Sequence, residues 1–167
     1  MKLFIASDIH GSAVWCEKMV ERFKREGADK LVLLGDILYH GPRNPLPDGY
    51  APQKVFNMLN ALRAQIIAVR GNCDSEVDQM VLEFNVSSDY AEIYDGATKI
   101  TLSHGHRAVP PLGKGDVYIT GHTHVPLNCT EAEGYVHLNP GSVSLPKENS
   151  AHGYILYDNG VFTFKEL

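Results

Sequence analysis

Short apolar runs along this chain end on Asp, Asn or His next to Gly, and they alternate with longer stretches of helical period. "KLFIASD", residues 2–8, reads as a buried strand. Past Gly11, "SAVWCEKMVERFKRE" spaces Val14, Met19, Val20 and Phe23 for one face of a helix, with Ser12 as N-cap and Gly27 as stop. "KLVLLGD" predicts a second strand, "QKVFNMLNALR" a second amphipathic helix and "QIIAVRGN" a third strand. Between the second strand and second helix runs "ILYHGPRNPLPDGYAP", whose Pro and Gly content suits a surface loop beside a site. "CDSEVDQMV" predicts a short helix capped by Asp74 or Ser75. The β-α-β-α-β order implies a parallel sheet with right-handed crossovers.

From Tyr90 the pattern changes. "YAEIYD", "TKITLSHG", "DVYITG", "PLNCTEA", "GYVHLN", "GYILYD" and "GVFTFKEL" are short strand-like runs separated by turn residues. "DGATK" and "YDNGVF" carry hairpin signals. These runs predict a second sheet, mixed or antiparallel, packed on the first. Without a repeat, a low-complexity tract or a shift in composition, residues 1–167 read as a single domain.

Composition narrows the function. A chain of 167 residues can bury a sizeable core, and 44% hydrophobic with 21% charged residues is ordinary for a globular protein. The formal net charge of -5, with no long basic run, argues against sequence-independent binding to nucleic acid. A phosphate substrate stays compatible with that charge if bound cations supply the positive field. The three cysteines, Cys16, Cys73 and Cys129, form no C-x-x-C pair, which suits reduced thiols in the cytoplasm. The apolar run of "MKLFIASDIHG" is too short for a signal-peptide core, and none approaches membrane-spanning length, so no membrane association is expected.

The chemistry sits at strand ends. "SDIHG", "LGDILYHG", "RGNCD", "LSHGH" and "TGHTH" each follow an apolar run, and in open α/β sheets such ends gather where ligands bind. Seven donors would converge there: Asp8, His10, Asp36, Asn72, His104, His122 and His124. If "GHTH" continues as extended backbone, His122 and His124 point to one face. Imidazole with carboxylate and amide oxygen, and no thiolate, suits Mn, Fe, Zn or Ni over calcium or a structural zinc cage. Seven donors exceed one tetrahedral ion, so two divalent metal ions sharing a bridging carboxylate are expected. Paired metals clamp the attacking and leaving oxygens of an in-line displacement, which points to phosphoester hydrolysis.

The order Asp-x-His, Gly-Asp, Gly-Asn, His, Gly-His-x-His, running from Asp8 to His124, resembles the calcineurin-like metallophosphoesterase superfamily. "GDILYHGPRN", "RGNCDSEVDQM" and "NPGSVSLPK" are similar to its small bacterial YfcE-type phosphodiesterases. The resemblance implies an α/β fold, a four-layer αββα sandwich of two mixed β-sheets flanked by helices. It implies one ion on Asp8, His10, Asp36 and His124 and another on Asp36, Asn72, His104 and His122, with Asp36 bridging. The ion implied is Mn2+, with Zn, Fe, Ni or Mg as alternatives. The implied activity is hydrolysis of small phosphodiesters by a hydroxide held between the metals.

One position departs from the pattern. Many superfamily members carry histidine after Gly-Asn, where this chain has Cys73, a weak donor. Small diesters, or esters with good leaving groups, therefore fit better than demanding monoesters. The candidate catalytic set is Asp36, Asn72, His40, Cys73 and Arg43, with Arg43 offering a bidentate fork to phosphate. His106, two residues past His104, is a candidate for the same cleft. His137 and His152 read as structural, and Asn139 as shaping a turn near the site. Two alternatives stand beside this reading. One is a protein-interaction scaffold on the same fold, expected to have lost ligands that this chain retains. The other is a phosphomonoesterase or protein phosphatase, against which Cys73 counts. The expected partner is a small phosphodiester, and the strand edges are compatible with a homo-dimer or homo-tetramer.

Overall fold

In the computed structural model, which describes residues 1–167, β1 (Lys2–Ala6), β2 (Lys30–Leu33) and β3 (Ile66–Ala68) lie side by side and parallel. The segments between them are helical: α1 (Ala13–Glu26) and α2 (Pro52–Asn60). Ser12 caps α1, its Oγ accepting from the Trp15 N–H at 3.3 Å, and Gly27 ends it with φ 62°. A third helix, α3 (Glu76–Val81), begins after Ser75, which takes the N-cap position. Asp74 is thereby left for another use.

A second sheet holds β4 (Tyr90–Asp95), β5 (Thr98–Ser103), β6 (Val117–Ile119), β7 (Pro126–Thr130) and β8 (Val136–Pro140), in the order β4-β5-β6-β8-β7. Its two outer pairs are antiparallel and its two inner pairs parallel. The last two strands, β9 (Gly153–Asp158) and β10 (Val161–Glu166), do not join it. They complete the first sheet, β9 lying antiparallel to β1 and β10 to β9. Both faces of β9 are covered, from Gly153 to Tyr157, which suits an interior position.

Alternation along β1 divides the apolar side chains between two layers. Leu3 and Ile5, with Val32, Leu34 and Ile155, meet Ile100, Leu102, Val117 and Leu138 between the sheets. Phe4, Ala6, Leu31 and Leu33 face outward onto Met19 and Phe23 of α1 and Val55 and Leu59 of α2. Helical cover is concentrated on the first sheet. On the second, the segment after His106 folds back: the Tyr90 hydroxyl donates to the Ala108 carbonyl at 2.6 Å, and Lys99 pairs with Asp116 at 3.0 Å. No helix is long and apolar enough to cross a membrane.

The end of α1 is tied to the first sheet by Glu26, whose Oε1 accepts from the Tyr154 hydroxyl at 2.7 Å and from Lys165 Nζ at 2.8 Å. Burial opposes its charge, but Lys165 and Tyr154 together hold the carboxyl below its ordinary value of 4.5. A depressed folded-state pKa stabilises above that ordinary value, and the contribution disappears as pH falls through the depressed one. Glu26→Gln should therefore flatten the acid limb of stability against pH, read from denaturant midpoints across that range. An unchanged acid limb would count against the linkage.

Candidate metal centre

All five strand exits open onto one edge of the sandwich, and the backbone there is unusual. Asp8, His10, Asp36, His122 and His124 have φ of 59°, 50°, 53°, 68° and 63°. "GHTH" is thus not extended, and the shared strand face expected for its two histidines is replaced by a turn in which the Thr123 N–H donates to the Gly121 carbonyl at 2.8 Å. Left-handed backbone costs a non-glycine residue about 1 kcal/mol or more, and surrounding bonds hold it. The His10 N–H donates to the Asp36 carbonyl at 2.9 Å, and the His122 N–H to Asp8 Oδ2 at 3.0 Å. The Ser142 and Ser144 hydroxyls donate to the Asp8 carbonyl at 2.8 and 3.1 Å.

Three imidazoles are aimed by the same device. The Nδ1 atoms of His10, His104 and His124 lie 2.8, 2.7 and 2.7 Å from the carbonyls of Tyr39, Leu34 and Leu145. A carbonyl only accepts, so each Nδ1 carries the proton and each Nε2 presents a lone pair inward. His10 Nε2 and His124 Nε2 stand 3.1 Å apart, and Asp8 Oδ1 is 3.4 and 3.1 Å from them. Asp8 Oδ1 is buried and accepts no hydrogen bond. Two ring nitrogens and an unpartnered carboxylate oxygen facing one point could together hold a cation.

A second group gathers around Asp36, beside the first. Asp36 Oδ2 lies 3.4 Å from His104 Nε2 and 3.7 Å from His10 Nε2, and Asn72 Oδ1 is 3.0 Å from His104 Nε2. The half-buried His122 ring lies 5.1 Å from that of His104, centre to centre, and lines the cleft above. The donor set of imidazole, carboxylate and amide oxygen fits divalent ions of the manganese, iron or zinc type. The charges respond to one another. Burial opposes ionisation of Asp8, but His10 and His124 hold its carboxyl well below the usual range. Burial alone would lower His104, yet with no ion present Asp36 and Asp8 hold it up at about 9, so an ion would take the place of its Nε2 proton. Burial, then Asp36, pushes the Cys73 thiol up to about 12, which leaves it neutral.

The cleft encloses about 420 Å³, and Arg43, Asn72, Cys73, His122 and Lys147 are among its lining residues. Of the sequence candidates, Arg43 reaches the cleft. His40 does not line it; its ring sits edge-on to Tyr39 and Tyr50 at 4.8 and 5.2 Å. His106 packs edge-on to His104 at 5.4 Å, also outside the lining. Asn139 shapes the turn as expected, donating to the Gly121 carbonyl at 2.7 Å and accepting from the Gly141 N–H at 2.8 Å. His152 is stacked on Trp15 at 3.4 Å.

Two residues beside the site escaped the sequence reading. Lys147 puts a second cation at the mouth, and "SLPK" gives no local sign of it. Asp74 accepts from the backbone N–H groups of Asp36 at 2.8 Å, Ile37 at 2.8 Å and Gly71 at 2.7 Å, so it binds the second strand exit to the third. Glycine is required where the exits of β6 and β1 touch. A Cβ on Gly121 would collide with Ser7 Oγ and sit 2.7 Å from Asp8 Oδ2. Gly121→Ala should displace that carboxylate and weaken metal retention by about tenfold or more, measured by competition with a chelator. Wild-type retention would show that Asp8 need not stay where it is.

A model of the calcineurin-like phosphoesterase superfamily domain matches residues 1–160. The chain belongs to the calcineurin-like phosphoesterase superfamily. Over 167 residues it is 48% identical to Phosphodiesterase YfcE of Escherichia coli strain K12, covering 98% of this chain and 90% of that protein. It is 26% identical over 168 residues to the Probable metallophosphoesterase YsnB of Bacillus subtilis, covering 93% of this chain and 83% of that one. The solved structure of E. coli YfcE, described as a phosphoesterase, superposes with a TM-score of 0.91 at 48% identity, over 95% of this chain and 89% of that one. The two mixed five-stranded sheets and their helices are thus the calcineurin-like fold, and the inward-facing donors occupy its strand exits.

Proposed function

We propose that residues 1–167 act as one cytoplasmic domain, a two-metal phosphodiesterase for small diesters. The observation that carries this reading is the inward set of Nε2 and carboxylate atoms under a cleft with Arg43 and Lys147 among its lining. In this reading Asp8, His10, Asp36 and His124 hold one ion. Asp36, Asn72, His104 and His122 hold the other. Two divalent ions, proposed to be manganese, supply when bound a field for the phosphoryl oxygens and a lower pKa for water.

The chain's own residues do the rest. Carbonyls of Tyr39, Leu34 and Leu145 fix the imidazoles of His10, His104 and His124, so these three need not reorient when a substrate arrives. Arg43 offers parallel N–H donors to two phosphoryl oxygens, and Lys147 adds a point charge. A cleft of about 420 Å³ has the volume of a small-molecule site, which favours small diesters over polymers. Cys73, kept neutral beside Asp36, is a poor proton donor to a leaving group. Departure then depends on the leaving group's own acidity. The 48% identical E. coli relative is named a phosphodiesterase, which agrees with this reading.

With manganese, a bis-aryl phosphodiester should be hydrolysed with kcat/KM at least about tenfold above the matching aryl monoester, a difference of about 1.4 kcal/mol in transition-state stabilisation. Faster monoester turnover would overturn the assignment to diesters.

A further inference from the structure

We propose that Cys129, Glu131 and His137 form a second cation site, outside the cleft, for one zinc-type ion with an open coordination position. The strand geometry assembles it. Cys129 of β7 and His137 of β8 are register partners in an antiparallel pair, which sets their side chains on one face. Glu131, two residues past Cys129, projects to the same side. Cys129 Sγ lies 3.4 Å from Glu131 Oε1, and His137 Nδ1 lies 3.3 Å from the same oxygen. All three ligand atoms fall within 4.8 Å of one another.

Those spacings match the edges of a zinc tetrahedron. Bond lengths of about 2.3 Å to sulfur and 2.0–2.1 Å to nitrogen and oxygen put S···O near ~3.5 Å and N···O near ~3.3 Å. The remaining sulfur–nitrogen edge is at most 4.8 Å, and rotation of the half-buried thiol would adjust it. His137 is also oriented. Its Nε2 lies 2.9 Å from Thr120 Oγ1, its ring stacks on Tyr118 at 5.0 Å, and Nδ1 is thereby directed at the carboxylate. Thiolate, imidazole and carboxylate together select zinc-like ions over magnesium or calcium. Binding releases the Cys129 thiol proton to solvent as the sulfur–metal bond forms. All three donors are partly exposed, which leaves the fourth position to water or to an outside ligand. None of them lines the cleft.

Cobalt titration of the full chain tests the site, because a near-ultraviolet thiolate-to-cobalt band reports only ions bonded to sulfur. The band should appear in the wild type and in Cys73→Ser, and vanish in Cys129→Ser and His137→Ala. Thr120→Val should weaken cobalt affinity at this site by about tenfold. Diester hydrolysis by Cys129→Ser should stay at the wild-type rate, so failure of this site is separable from failure of the catalytic reading. No thiolate band in the wild type, or a band that survives Cys129→Ser, overturns the proposal.

Discussion

Asp36→Asn should lower turnover of an aryl phosphodiester by about three orders of magnitude or more, in a protein that still folds. Asp36 Oδ2 stands between the two imidazole groups, 3.4 Å from His104 Nε2 and 3.7 Å from His10 Nε2. Its replacement by an amide removes the negative charge through which two cations would be held close together. Charge stabilisation by a metal pair is worth several kcal/mol, and ~4 kcal/mol corresponds to about a thousandfold in rate. The fold should survive, because Asp36 Oδ1 accepts from the Cys73 N–H at 2.8 Å and an asparagine oxygen can do the same. The measurements are kcat with manganese and metal content per chain, with a thermal melt confirming the folded state. Wild-type turnover with undiminished metal would end the two-metal account.

The second large effect lies on a residue that touches no substrate. Asp74 is buried, and its two oxygens accept from Asp36, Ile37 and Gly71. Asp74→Ala strands three N–H groups where water does not reach, at about 1–3 kcal/mol each. The expected loss is therefore on the order of 3–9 kcal/mol, a large part of a domain's total stability. Asp74→Asn should fall between the two, since one amide oxygen can serve the Asp36 and Gly71 donors while its NH2 opposes Ile37. Urea midpoints order the three proteins. A loss below about 1 kcal/mol in the alanine variant would mean that the strand exits rearrange to satisfy those donors by other means.

How much of this was legible follows from the range of each interaction. The first strands and helices were readable because their apolar spacing, the Ser12 cap and the Gly27 stop act within a few residues. The donors Asp8, His10, Asp36, Asn72, His104, His122 and His124 were readable because each follows an apolar run beside glycine. The return of β9 and β10 to the first sheet was not. Strand runs reveal burial but not which neighbour supplies it, and β9 lies beside β1 across the whole chain. The left-handed turn at His122 and His124 was also hidden, because histidine gives no sign of positive φ as glycine does. Asp74 read as a helix cap because that is the local use of Asp before a helix. Its actual partners are Gly71 nearby and, from the second strand's exit, Asp36 and Ile37. His40 read as a cleft residue from its place in the loop, whereas aromatic packing against Tyr39 and Tyr50 holds its ring.

The five donors on left-handed backbone set durability against chemistry. Glycine would relieve the local strain at Asp8, His10, Asp36, His122 and His124, while deleting a metal-facing or cleft-facing group each time. A screen for heat resistance alone would be drawn toward these positions and would return robust proteins emptied of their donors. Stabilising this enzyme while keeping its site calls for changes elsewhere, on the outer faces of its helices and strands.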